Sequence, residues 1–115
     1  MKSPITTHIL DTASGRPAHG VHVILERRED GDWVELTRGV TDDDGRISDW
    51  LPGDTPAKTG MYRCTFEVGS YFDSSEHSAG FYTNIPVVFR LNNPDAHYHI
   101  PLLLSPYGYT TYRGS

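Results

Sequence analysis

The chain has 115 residues, 37% of them hydrophobic and 22% charged, which is enough for one hydrophobic core, too little for two domains and too apolar for a disordered segment. Fifteen Asp and Glu against ten Lys and Arg leave a net charge of −5 with no basic cluster longer than Arg27-Arg28, so neither a nucleic-acid groove nor an anionic membrane surface has electrostatic support. The single cysteine, Cys64, precludes an internal disulfide or a thiolate metal framework and points to a reducing compartment.

Met1 to His8 lacks the apolar core of about 7–15 residues that marks a secretory signal, and no apolar run approaches the roughly 20 residues of a membrane span. The expected setting is therefore cytoplasmic, with a small or neutral partner. In chain order, Ile5–Asp11 alternates Ile5, Thr7 and Ile9 against Thr6, His8 and Leu10, and either face fits a core. Val21–Arg27 and Trp33–Val40 follow, divided by the turn residues Asp30-Gly31-Asp32 at hairpin spacing. The acidic turn Asp42-Asp43-Asp44-Gly45 then opens Arg46–Trp50, placing an arginine at a strand start where its side chain can reach over a sheet edge.

Met61–Val68 is the clearest strand, with Tyr62, Cys64, Phe66 and Val68 apolar and Arg63, Thr65 and Glu67 polar, so one face is buried and the other wet. Ser74 to Gly80 combines a capping serine, Glu76 and a terminal glycine, a pattern for one or two helical turns. Ile85–Leu91, His97–Leu104 and Tyr107–Tyr112 complete eight strands. The sum is an all-β, two-sheet sandwich with one short helix between strands five and six, a single domain over residues 1–115.

The strand from His97 to Leu104 carries the most chemical information. Tyr98, Ile100, Leu102 and Leu104 share its core face, so His97, His99, Pro101 and Leu103 point away from the core. Two imidazoles beside two apolar residues on an outer face call for a cover, as at an interface or pocket wall. The last strand runs into Arg113-Gly114-Ser115, which sets a guanidinium and a carboxylate beside an aromatic hydroxyl. Phosphate-cradling loops, dinucleotide fingerprints, Gly-x-Ser-x-Gly and His-Glu-x-x-His are absent from the sequence.

Four segments together bring a family into view: Thr7-His8-Ile9-Leu10-Asp11-Thr12, Gly15-Arg16-Pro17-Ala18, Thr41-Asp42-Asp43-Asp44-Gly45-Arg46, and His97 through Ser115 with its terminal Tyr112-Arg113-Gly114-Ser115. They resemble the transthyretin-related 5-hydroxyisourate hydrolases, over nearly the whole chain, and transthyretin itself lacks the terminal tetrapeptide. The resemblance implies an eight-stranded sandwich of transthyretin type, a homotetramer around a central channel, and hydrolysis of 5-hydroxyisourate without a cofactor. It assigns catalytic roles to His8, Arg46, His99 and Ser115, and substrate contacts to Tyr112, Arg113 and Gly114; His97, on the same face as His99, is added as a substrate contact from its position alone. It also turns the ambiguous first strand so that His8 and Leu10 face the channel. One departure is the sequence Phe81-Tyr82-Thr83-Asn84-Ile85-Pro86, where the family usually has Phe/Tyr-Pro-Glu.

Plainer readings apply to the remaining polar residues. His19, His22 and His77 read as half-exposed strand or loop histidines. His97 shares the face of His99 but is not the motif histidine, which suits an orienting or rim position. His97, His99 and His8 together suggest a three-histidine zinc site, but the resemblance implies none and supplies no carboxylate ligand, so the expectation is no metal. Asp42 to Asp44 read as solvated turn formers, and Cys64 as an inert core thiol. The alternative function is a transthyretin-like carrier that uses the same channel only to bind a small molecule.

Overall fold

The computed structural model describes residues 3–51, 57–74 and 80–114. In chain order the elements are β1 (Ile5–Asp11), β2 (Arg16–Pro17), β3 (His22–Glu29), β4 (Asp32–Val40), β5 (Arg46–Ile47), β6 (Gly60–Glu67), α1 (Val68–Ser74), β7 (Asn84–Leu91), β8 (Tyr98–Ser105) and β9 (Gly108–Thr111). They form two sheets, one ordered β2-β1-β8-β9 with β5 also pairing β1, the other ordered β4-β3-β6-β7. The sandwich expected from the alternation is present, with differences in detail. Arg16–Pro17 makes a short additional strand on Leu10 and Asp11, and pairing of the fourth predicted strand is confined to Arg46–Ile47 against Thr7 and His8.

The helix lies on the expected connection but begins at Val68, six residues before the expected start. Val68 continues the strand alternation and is also four residues from Phe72, so both side chains enter the core from one helical face. The Tyr71 hydroxyl donates to Asp11 Oδ2 at 2.7 Å, tying the helix to β1. Of the expected helical stretch from Ser74 to Gly80, residues 75–79, including His77, lie outside the described residues.

The core fills from the inward faces of both sheets: Ile5 and Ile9 of β1, Val23 and Leu25 of β3, Tyr62, Cys64 and Phe66 of β6, and Ile100, Leu102 and Leu104 of β8. Burial in this apolar layer pushes the Cys64 thiol pKa well up, so it stays protonated and inert. The two outer faces differ in kind. The β4-β3-β6-β7 sheet carries Arg63 paired to Glu26 at 2.8 Å and Arg38 paired to Glu35 at 2.6 Å, as a solvated face does. The other sheet presents His8, Leu10, His99 and Leu103, all half-buried in a single chain. Among the described residues no helix is long and apolar enough to cross a membrane.

Candidate active site

The parallel pairing of β1 with β8 decides which side chains meet. Its register sets Thr6 opposite His99 and His8 opposite Pro101, so residues more than ninety positions apart in sequence share one patch of outer face. The His8 and His99 rings lie stacked with centroids 6.5 Å apart and planes 22° off parallel. On the other side of β1, Arg46 pairs with His8, bringing the guanidinium-bearing residue to the same patch.

The turn that delivers Arg46 is built for that position. Asp42 Oδ1 accepts from the backbone N–H of Asp44 and of Arg46, each at 2.9 Å, which closes the acidic turn on itself. Gly45 sits at φ +74°, and a Cβ there would lie 2.5 Å from the Ile9 carbonyl oxygen. Only glycine lets the turn approach β1 closely enough for Gly45 to accept the Ile9 N–H at 2.8 Å. The three aspartates are thus exposed turn formers.

Burial and charge act on the two imidazoles in the same sense. Partial burial lowers the pKa of His99, and the neighbouring Arg46, His8 and His97 lower it further. His8 is likewise lowered, first by burial and then by Arg46, against a smaller upward pull from a hydrogen bond to the Asp44 backbone and from the carboxylates of Asp42 and Asp44. Both rings are therefore neutral at neutral pH, each with a lone pair, beside a permanent cation. Among the described residues no three His, Cys, Asp or Glu side chains converge in a way that could hold a metal ion.

Thr6 is the site residue that sequence reasoning missed. Its side chain is nearly buried, and its Oγ1 lies 2.9 Å from His97 Nε2 and 2.8 Å from His99 Nδ1. Nothing local in Ile5-Thr6-Thr7-His8 marks it, since a strand threonine is ordinary. The signal is the register: once His8 and His99 are placed on one face of neighbouring parallel strands, Thr6 falls opposite His99 and within reach of His97 just before β8.

The tail divides between the two sides of the sheet. Gly114 bridges to His99, its N–H donating to the His99 carbonyl at 2.8 Å. Arg113 turns the opposite way, its guanidinium 4.5 Å above the Tyr98 ring. There it lines a groove of about 400 Å³ with Val87, Phe89 and Arg90. Within one chain Arg113 is thus directed away from the histidine face. Tyr112 is exposed, and Ser115 lies outside the described residues.

Known proteins show the same architecture. The model of the HIUase/Transthyretin family matches residues 5–114. A 5-hydroxyisourate hydrolase of Salmonella dublin is 48% identical over 111 residues, covering 96% of this chain and 80% of that protein. The structure of Klebsiella pneumoniae 5-hydroxyisourate hydrolase superposes with a TM-score of 0.82 at 36% identity, covering 96% of this chain and 97% of that one. Sea bream transthyretin in complex with thyroxine superposes with a TM-score of 0.86 at 34% identity, covering 97% and 95%. With nearly every described residue inside the matched span, the chain belongs to the HIUase/Transthyretin family.

Proposed function

We propose that this protein hydrolyses 5-hydroxyisourate to 2-oxo-4-hydroxy-4-carboxy-5-ureidoimidazoline in urate degradation. The observation that carries this reading is the stacked His8–His99 pair, both rings held neutral beside Arg46. One imidazole takes a proton from water as the oxygen attacks the lactam carbonyl carbon. Arg46 faces the oxyanion that forms, where a fixed cation in a partly dry site stabilises charge without reorganising. The imidazolium then returns its proton to the ring nitrogen as the C–N bond breaks, which regenerates the base.

The test is an ultraviolet assay with freshly generated 5-hydroxyisourate, scored as acceleration over its spontaneous decay. The likeness to a thyroxine-bound transthyretin gives the rival reading, a small-molecule carrier. Saturable binding of 5-hydroxyisourate with no acceleration would favour the carrier and remove the enzyme.

The lowered histidine pKa values make a prediction with a definite sign. An imidazole whose protonation is disfavoured keeps its lone pair to lower pH, so the acid limb of kcat/KM should have its midpoint below the ordinary value of about 6.5. Arg46→Gln removes one of the two main causes for each ring and leaves burial in place. Its residual activity should therefore show an acid limb displaced to higher pH. A limb that stays put in Arg46→Gln, or that begins above 6.5 in the parent, contradicts the assignment.

The outer histidine face needs a cover, and we take a homotetramer to supply it. Leu10 and Leu103 are half-buried on this face with the histidines, and among the described residues the edge strands β7 and β9 each pair with a neighbour on one side only. Sedimentation at assay concentrations should give a four-chain mass, and an active single-chain species refutes the assembly. A lone, buried thiol suits the cytoplasm, which cell fractionation tests.

A further inference from the structure

We propose that the Thr6 hydroxyl fixes the tautomer of His99, leaving its Nε2 lone pair free for the reaction, and that His97 acts through Thr6. The inference deepens the reading of this site and rests on His99 serving it as a base. It starts from donor and acceptor accounting. Thr6 Oγ1 lies within hydrogen-bond distance of two ring nitrogens, His97 Nε2 at 2.9 Å and His99 Nδ1 at 2.8 Å. A hydroxyl has one hydrogen, so it donates to one of these nitrogens and accepts from the other. When neither ring carries a second proton, one nitrogen presents N–H and the other a lone pair. The two tautomers are coupled through a single oxygen.

Two arrangements satisfy that count, and they differ in what His99 offers the site. In one, Thr6 donates to His99 Nδ1, the His99 proton sits on Nε2, and the ring has no lone pair left for water. In the other, His99 Nδ1–H donates to Thr6, Thr6 donates to His97 Nε2, and His99 Nε2 keeps its lone pair. The charged and titratable neighbours of His99 favour the second. These are Arg46 on β5, His8 on β1 and His97 just before β8, with the Asp42 and Asp44 carboxylates acting on His8. Arg46 has donors only, so beside it a lone pair on the remaining nitrogen is stabilised over a second N–H. Position and burial support the coupling as well. Thr6 is held opposite His99 by the β1–β8 register and is 6% exposed, so little water competes for its hydroxyl. His97 is exposed, and solvent satisfies its Nδ1–H.

His97 is then a positioning residue, because its Nε2 lone pair holds the Thr6 hydrogen away from His99. Without it the hydroxyl turns to His99 Nδ1 and selects the unproductive tautomer. The test reads the ring directly, by long-range proton–nitrogen correlation of the ¹⁵N-labelled full-length protein at a pH above its acid limb. The expected parent spectrum has His99 Nδ1 protonated and Nε2 bare. Thr6→Val, which keeps the shape and removes the hydroxyl, and His97→Phe should both move proton population onto His99 Nε2. Each should lower kcat/KM roughly 10–100-fold, the usual cost of losing a partner that orients a functional histidine. The double variant should fall no further than the worse single variant, and Thr6→Ser should retain both the spectrum and the rate. A parent ring protonated at Nε2, an unchanged ring in Thr6→Val, or additive losses in the double variant would overturn the proposal. If the parent fails to accelerate 5-hydroxyisourate hydrolysis, the functional reading falls on its own, and the spectra still decide the tautomer.

Discussion

His99→Asn is expected to lower kcat/KM for 5-hydroxyisourate by about 10²–10⁴-fold, the range in which a positioned general base contributes, while the melting temperature stays close to that of the parent. The stability side follows from burial. His99 is only half-buried, on a face outside the core that Ile100, Leu102 and Leu104 fill, so no large cavity opens when the ring is trimmed. Asparagine also keeps a polar group within reach of Thr6 while it removes the titratable lone pair. His8→Asn should behave similarly. If the two rings work as a unit with Arg46, combined replacements should fall short of the product of the single effects. Circular dichroism and a thermal scan establish the fold, and steady-state assays against the spontaneous blank establish the rate. A well-folded His99→Asn protein with near-parent turnover would sink the assignment of the base.

How far these features were legible in the sequence depends on the range over which each signal acts. Alternation is local, so Tyr62, Cys64 and Phe66 announce the buried face of β6, and Tyr98, Ile100, Leu102 and Leu104 that of β8. The placement of His99 outside the core follows from the same period. The helix start was less legible because Val68 satisfies two periods at once, and only packing of Phe72 into the core decides for the helix. The reach of strand four was also set by pairing, since Arg46–Ile47 finds β1 opposite it and the residues after it do not. Thr6 was illegible for a deeper reason: its partners lie 91 and 93 residues away, and only the parallel β1–β8 register brings them together. The split of the tail follows from strand alternation, with Gly114 facing His99 and Arg113 on the other side, and the terminal motif read as one block concealed it.

Gly114→Ala should reduce kcat/KM by about 10²-fold with little loss of stability, because its added methyl group meets the ring proposed as the base. A Cβ on residue 114 would lie 2.5 Å from His99 Cδ2, 3.2 Å from its Cγ and 3.1 Å from Pro101 Cγ. These are ring and proline atoms with little freedom to yield, so either the imidazole swings or the tail lifts and breaks the Gly114 N–H to His99 carbonyl bond at 2.8 Å. A displacement of about 1 Å at a reacting group is enough to cost that much rate. Stability is spared because the affected segment contributes no side chain to the core. Deleting Arg113 through Ser115 goes further, removing the packing of Gly114 on His99 and the guanidinium over Tyr98. Activity should again fall while the melting temperature shifts by at most a few degrees. The two variants separate the contributions of the tail: Gly114→Ala retains Arg113 and perturbs the packing of residue 114 on His99 and Pro101, whereas the deletion removes that packing and Arg113 together. Equal losses would assign the effect to the Gly114–His99 contact, and a deeper loss on deletion would assign the remainder to the flanking residues. Parent-like turnover by both, at matched concentration and fold, would make the tail dispensable and leave His8, His99 and Arg46 to account for the chemistry without it.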